Sequence, residues 1–291
     1  MPQRIDLREG KSYHARLWLA VAGALMLASC GTDSGADVAD DASPAVGATA
    51  AAASGDVDAT AKASAGAGGA RKVDEENELF SFVYSYPAAA GDIPRLKASL
   101  DARLEEERGK LDKDARQFKQ EAAADGFPYR AYANQTDWAV VADLPGWLSL
   151  SAEKYSYTGG AHGMTVFDSL LWDRQAQVER APLSLFLSRD ALEAAIKPAF
   201  CEELDRQRVK KRGVEFDRAN PGMFDECIGL ASTTVLLGSA NRKTFDRVGF
   251  LIPPYEAGPY AEGAYEVILP VSEAILRAVK PEFRGSFTVS R

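Results

Sequence analysis

The chain has 291 residues, a net charge of −8 and two histidines. The acidic balance argues against nonspecific nucleic-acid binding. With one histidine, His162, beyond the first thirty residues, a His-Glu-x-x-His zinc site is excluded. No Gly-x-Ser-x-Gly elbow, Walker loop or dinucleotide fingerprint occurs either.

Arg4, Arg8, Lys11 and Arg16 precede an uncharged apolar run, Leu17 to Leu27. The run is shorter than the roughly 20 residues needed to span a bilayer, and it suits a signal-peptide core. It ends in Leu27-Ala28-Ser29-Cys30, which resembles the bacterial lipobox. Residues 1–30 are therefore expected to be a lipoprotein signal segment, with Cys30 as the lipidated residue. The rival reading is an ordinary signal peptide with an incidental cysteine. Acyl chains contribute about 0.8 kcal/mol per buried methylene, so two or three of them hold a protein to a membrane. Gly31, not Asp, follows Cys30, and Asp33 comes later, which leans towards the outer membrane, facing the periplasm. Losing residues 1–30 removes four basic and two acidic side chains and takes the net charge to about −10.

Residues 31–71 are Ala, Gly, Ser, Asp and Thr in the main and hold no Leu, Ile or aromatic side chain. Such a stretch buries too little apolar surface to offset chain entropy and reads as a disordered tether. The folded part is assigned to an α+β class, as two tandem units of a helix packed on an antiparallel sheet. These units are residues 72–180 and 181–291. In the first, Leu79 to Tyr86 alternates as a strand and Pro87 ends it. Ile93 to Ala124 reads as a long helix with a stripe of Leu96, Leu100, Leu104 and Leu111, stopped by Gly126 and Pro128. Arg130–Asn134, Trp138–Leu144, Leu148–Tyr157, Met164–Trp172 and Gln177–Arg180 read as an antiparallel meander, with turns at Asn134–Asp137, Pro145-Gly146, Thr158–Gly160 and Asp173-Arg174.

In the second unit Ser188 caps a helix running to about Arg212, which Pro198 bends or divides. Its basic end, Arg206 to Arg212, interacts favourably with the helix dipole. Thr233–Leu237, Arg247–Ile252 and Tyr265–Leu269 read as strands, and Val271–Val279 as a terminal helix. Cys201 and Cys227 form an even pair in an exported chain and are expected to bond, with two buried free thiols as the alternative. No metal site and no cofactor is expected.

Two loops carry what chemistry the sequence suggests. Tyr155 to Gly163 (YSYTGGAHG) puts three glycines and His162 between strands. It is either a hairpin turn, whose histidine bonds a carbonyl, or a ligand-facing turn. A catalytic His162 needs a partner that no spacing supplies. Pro253 to Gly263 (PPYEAGPYAEG) sets two Tyr-Glu pairs in a proline-glycine loop. The tyrosines cover the core or form a recognition surface. Glu256 and Glu262 are conceivable glycosidase carboxylates.

Tyr157-Thr158-Gly159-Gly160-Ala161-His162, followed by the run from Gly249 to Val267, resembles the C-terminal uncharacterised domain of an extracytoplasmic pair. That pair occurs in lysozyme-sensing anti-sigma factors and beside the catalytic domain of a peptidoglycan deacetylase. Asn77 to Ser151 resembles the deacetylase-associated domain that precedes it. The resemblance implies binding or sensing at the cell wall, with enzymatic activity in another domain. The Asp-His-His metal set of the deacetylase is missing, so only ligand binding carries over, onto Tyr157, Gly159, Gly160, His162, Tyr255, Pro259, Tyr260 and Glu262. The expectation is a non-enzymatic envelope lipoprotein that binds a wall glycan or a wall-active protein such as lysozyme. The alternative is a glycan-processing enzyme using His162 with Glu256 or Glu262.

Overall fold

The computed structural model describes the backbone of residues 60–65 and all of 69–215 and 221–290. The signal segment, Cys30 and the tether up to residue 59 lie outside the described residues. Ten strands and four helices are described. They are β1 (Thr60–Ala65), β2 (Arg71–Glu76), β3 (Phe80–Tyr86), α1 (Ala88–Gly91), α2 (Pro94–Asp125), β4 (Tyr132–Asp143), β5 (Trp147–Tyr157), β6 (Met164–Asp173), β7 (Val178–Arg180), α3 (Arg189–Arg212), β8 (Thr234–Gly238), β9 (Arg247–Ile252), β10 (Tyr265–Pro270) and α4 (Glu273–Ala278). The first seven strands form one sheet in chain order, and the last three form a second, ordered β10-β9-β8. No described helix is long and apolar enough to cross a membrane.

The long helix is where its leucine stripe puts it. Leu96, Leu100, Leu104 and Leu111 are buried, at steps of four, four and seven that bring side chains to one face. They meet Phe80, Phe82, Tyr84 and Tyr86, the inward set of β3, and Leu148, Leu150 and Ala152 of β5. Each such burial contributes about 1.5–3 kcal/mol. Gly126 ends the helix in the left-handed region, at φ 75°.

Several elements differ from the sequence reading. The stretch read as a tether ends in β1, which pairs antiparallel with β2 from Thr60 opposite Glu76 to Ala65 opposite Arg71. Backbone pairing to an existing sheet supplies order that local composition does not. The expected turn at Asn134–Asp137 lies inside β4, because both its neighbours hold it. Phe80 to Ser85 pair with Tyr132 to Asp137 on one side, and β5 pairs along the other. The β3–β4 pairing is parallel, the one such junction among the described strands. A parallel return needs a crossover of a dozen residues or more, and α2 is that crossover. Pro198 lies inside α3 without dividing it.

The two sheets pack face to face. A bulge between Val140 and Ala142 reverses the alternation of β4. Before it, Trp138 and Val140 lie under α2; after it, Ala142 and Leu144 join the other core. Trp147 and Leu171 join that core too, beside Phe245, Val248 and Leu269 from the second half of the chain. The Trp147 indole donates to Ser286 Oγ at 2.9 Å. Leu236 and Leu251 meet Val141 between the sheets. On the far side, Val235, Leu237 and Phe250 meet Leu192, Ile196, Phe200 and Leu204 of α3. The order of layers is therefore α2, large sheet, small sheet, then α3 with α4. Strands β8 and β9 are covered on both faces, which explains their unbroken apolar runs.

Cys201 and Cys227 form a disulfide, with Cα atoms 5.4 Å apart and a sequence separation of 26. It fastens the segment before β8 to the middle of α3.

Candidate functional site

The β5–β6 hairpin ends in residues 158–163, and the β9–β10 connection runs from Pro253 to Ala264. The sheet-on-sheet packing brings these two loops together. His162 stacks on Tyr260 with ring centroids 3.9 Å apart and planes 22° from parallel. Tyr255 closes the group, its centroid 5.6 Å from Tyr260 and 6.1 Å from His162. His162 and Tyr255 are exposed, and Tyr260 is half-buried.

Hydrogen bonds fix the arrangement. Tyr260 Oη donates to Gly163 O at 3.0 Å, and His162 Nδ1 lies 3.0 Å from the same oxygen. A carbonyl can only accept, so Nδ1 carries the imidazole proton. Nε2 is then the acceptor for the Tyr255 hydroxyl, 3.2 Å away. Both phenols thus direct their protons inward, Tyr260 to Gly163 O and Tyr255 to His162 Nε2.

Local backbone geometry serves the same end. Gly159 has φ 86°, a value that suits glycine. A Cβ on Gly163 would lie 2.3 Å from the Tyr155 ring, so glycine is needed there for close packing. Tyr157 Oη donates to Gly160 O at 3.1 Å and braces the hairpin tip. In the partner loop Tyr255 has φ 73°. A tyrosine in the left-handed region stores about 1–2 kcal/mol of strain and persists only where its surroundings hold it.

Those surroundings are the last two turns of α3. Arg208 is fully buried and donates from Nε to Ala257 O at 2.9 Å and from an Nη to Glu226 O at 3.0 Å. Arg212 bridges Asp225 at 2.6 Å and Glu262 at 2.8 Å. Lys211 Nζ donates to Glu262 O at 2.7 Å and Ala264 O at 2.6 Å, and lies 3.8 Å from the Tyr265 ring centroid. Burial lowers the Lys211 pKa, against the pull of Glu262. Gln207 Nε2 caps the outer edge of β10 through Glu266 O at 2.6 Å.

Of the residues singled out from sequence, His162, Tyr255 and Tyr260 converge, with Tyr157, Gly159 and Gly160 shaping the tip beside them. Pro259 opens the single turn that carries Tyr260. Glu262 faces the other way. Its carboxylate is held by Arg212 and by the Tyr265 hydroxyl. The His162 ring nitrogens meet Gly163 O and Tyr255 Oη respectively, and among the described residues neither is bonded to a carboxylate. The Glu256 side chain is exposed on the outside of its loop. Among the described residues no group of three or more His, Cys, Asp or Glu side chains is placed to hold a metal ion.

Sequence reading misses Tyr155 and the α3 clamp. The signal for the clamp is present: Gln207 with Lys211, and Arg208 with Arg212, recur at i, i+4 and so share one side of the helix.

Residues 73–165 match a family model described as Deacetylase PdaC. The match runs from within β2 to the start of β6 and includes the hairpin tip, but not the 253–263 loop. No curated protein matches the chain. Two solved structures are similar to it. One is a DUF3298 family member from Bacteroides fragilis, 16% identical, with a TM-score of 0.44, covering 78% of this chain and 96% of that one. The other is a DUF3298 family protein from Pseudomonas aeruginosa, 17% identical, with a TM-score of 0.43, covering 80% and 95%.

Proposed function

We propose that this chain is an exported lipoprotein, acylated on Cys30, that binds a cell-wall glycan on the platform of His162, Tyr255 and Tyr260 without acting on it chemically. The observation that carries this reading is the convergence of the three rings from loops 93 positions apart in sequence. Loop strain at Tyr255 is maintained to present them. Tyrosine offers rigid amphipathic area at low entropic cost, with an apolar face and a polar tip. A pyranose has the matching form, with C–H faces to stack and hydroxyl or amide protons to donate. The phenol oxygens, with their own protons directed inward, are suited to accept them.

A non-catalytic role is favoured by the commitment of Glu262 to Arg212 and Tyr265, which leaves His162 without an acid partner. The match of residues 73–165 to a model described as a deacetylase, and the resemblance of both loops to wall-sensing domains, support a place in the envelope. The lipobox and Gly31 favour the outer membrane, facing the periplasm. The acidic mature chain also favours a basic partner and would speed its association, so a lysozyme-like protein is the second arm of the test.

The test is co-sedimentation of the protein with purified peptidoglycan, with a lysozyme pulldown in parallel. The doubly substituted Tyr255→Ala, Tyr260→Ala protein is expected to stay folded and lose sedimentation. Retained sedimentation of that variant would overturn the platform. Capture of lysozyme alone would replace the glycan by a protein ligand. Radiolabelled palmitate entering the wild type but not Cys30→Ser tests the anchor.

A further inference from the structure

One side of α3 carries Cys201, Asp205, Arg208 and Arg212, at steps of four, three and four that set them in a line along the helix. The segment that leads towards β8 meets this line at three points. Cys227 is bonded to Cys201, Glu226 O accepts from an Nη of Arg208 at 3.0 Å, and the Asp225 carboxylate meets Arg212 at 2.6 Å. The same two arginines hold the aromatic loop, Arg208 through Ala257 O at 2.9 Å and Arg212 through Glu262 at 2.8 Å. Ala257 is two residues from Tyr255, whose hydroxyl bonds His162 Nε2 at 3.2 Å. Direct contacts therefore run from the disulfide through Glu226, Arg208 and Ala257 to the rings of His162, Tyr255 and Tyr260. Arg208 is fully buried, so a carbonyl it loses is not simply replaced by water. Both gripped segments hold a residue in the left-handed region, Phe224 at φ 67° and Tyr255 at φ 73°. Such residues persist only while their neighbours impose the conformation, and they gather at switch points. The disulfide is within reach of solvent: both cysteines are half-buried, and Glu202 and Glu226 beside them are exposed.

We propose that Cys201–Cys227 is a redox-modification site, and that its reduction by a protein dithiol releases the aromatic loop from its binding arrangement. The chemistry is thiol–disulfide exchange. A thiolate of the dithiol attacks one sulfur, breaks the Cys201–Cys227 bond and forms a mixed disulfide. The second thiol of the reductant then displaces the bound cysteine and closes the reductant's own disulfide. Two electrons pass to the cysteine pair, and the two protons of the dithiol end on Cys201 and Cys227 as thiols. Residues 225–227, without their covalent tie, leave the side of α3, and Glu226 O leaves Arg208. Arg208 then no longer fixes Ala257, the backbone at Tyr255 relaxes, and its hydroxyl leaves His162. In an oxidising compartment the pair stays bonded and the rings stay set. Arg208 is a positioning residue, since it acts on the rings through Ala257. The switch governs how the rings are presented, whatever they bind; only the affinity arm of the test rests on the glycan reading above.

The full chain, carrying isotope-labelled histidine, is followed by nitrogen NMR before and after treatment with dithiothreitol. The chain has one other histidine, His14, and a His162→Gln protein tells the two signals apart. The oxidised protein is expected to show His162 as one tautomer, with the proton on Nδ1. On reduction its ring signals are expected to move to the averaged values of a free imidazole, while tryptophan fluorescence stays native. Ring shifts of the folded state do not follow global stability, so a general loss of stability does not imitate this result. The Cys201→Ser, Cys227→Ser protein is expected to give the reduced signal with or without reductant. Oxidised Arg208→Lys is expected to give it too, and to respond no further to reductant. Arg212→Gln, whose bridges are less buried, takes its place with the same expectation if Arg208→Lys does not fold. Affinity for peptidoglycan is expected to fall about tenfold on reduction, the loss of one stacking contact. An unchanged His162 signal after complete reduction overturns the proposal, as does a full response to reductant in the arginine variant. Global unfolding on reduction overturns it as well, since a switch needs a folded second state. A His162 signal that moves as expected in a protein that never binds peptidoglycan upholds the switch and removes the glycan reading.

Discussion

Tyr255 offers the sharpest test of whether the aromatic loop is held against its own preference. Its φ is 73°, and its side chain is nearly half exposed. Replacing it with Ala or with Gly removes the same ring and the same bond to His162. The two variants then differ only in what they ask of the backbone. Glycine escapes the strain of about 1–2 kcal/mol that any L side chain carries in this region. It surrenders about 0.5–1 kcal/mol through the larger freedom of its unfolded chain. The Gly variant is therefore expected to be more stable than the Ala variant by about 0.5–1 kcal/mol. For a domain of this size that is a difference of roughly 1–4 °C in Tm. Urea denaturation and calorimetry measure it, and peptidoglycan co-sedimentation should fail for both. If the Ala variant equals or exceeds the Gly variant in stability, the strain argument is refuted, and with it the idea that the loop is shaped for presentation.

Arg212→Ala leaves two carboxylates, Asp225 and Glu262, facing each other across a lost bridge in a site less than a fifth exposed. The loss lies between that of an exposed and a buried pair, about 1–3 kcal/mol, and unchanged thermal stability would refute the clamp. Reducing the Cys201–Cys227 disulfide releases a loop closed over 26 positions, worth about 3.5 kcal/mol in the chain-entropy model. The Tm is expected to fall by roughly 7–14 °C, and a Cys201→Ser, Cys227→Ser protein insensitive to dithiothreitol is the control. Burial raises the pKa of Glu266, whose Oε1 has no hydrogen-bond partner among the described residues. Its folded-state pKa thus exceeds its unfolded one. The stabilisation of the protonated form is complete at acid pH and is lost as pH rises through the raised value. Glu266→Gln should therefore stabilise the protein at pH 7 and cease to do so below the ordinary carboxylate range; a gain constant with pH would contradict this.

The elements with a strong local period are legible in the amino-acid pattern alone. The leucines of α2, the alternation of β3 and the Ser188 cap of α3 each state their partner surface in the sequence. So do the two glycine- and proline-rich loops, because turn chemistry is local. Features decided by distant pairing are not legible in this way. Asn134 to Asp137 carry turn propensity, yet strands on both sides recruit them. Thr60–Ala65 have no apolar pattern, yet they join an edge. The parallel contact of β3 with β4 depends on where α2 returns the chain. That His162 meets Tyr255 and Tyr260 follows from the stacking of two sheets, which no spacing within either loop encodes. The basic end of α3 reads in sequence as a complement to the helix dipole, because its i, i+4 pairs gain meaning only once the 253–264 loop lies beside them.

Strand β8 is the cover that completes the face of β4, β5 and β6, and it is made only after α3. A chain delivered amino-terminus first therefore spends the interval with Val141, Trp147 and Leu171 bare to water, next to the hydroxyls of Ser149 and Ser151, which have no partner among the described residues. Fragments that stop near residue 181 will be sticky and readily proteolysed.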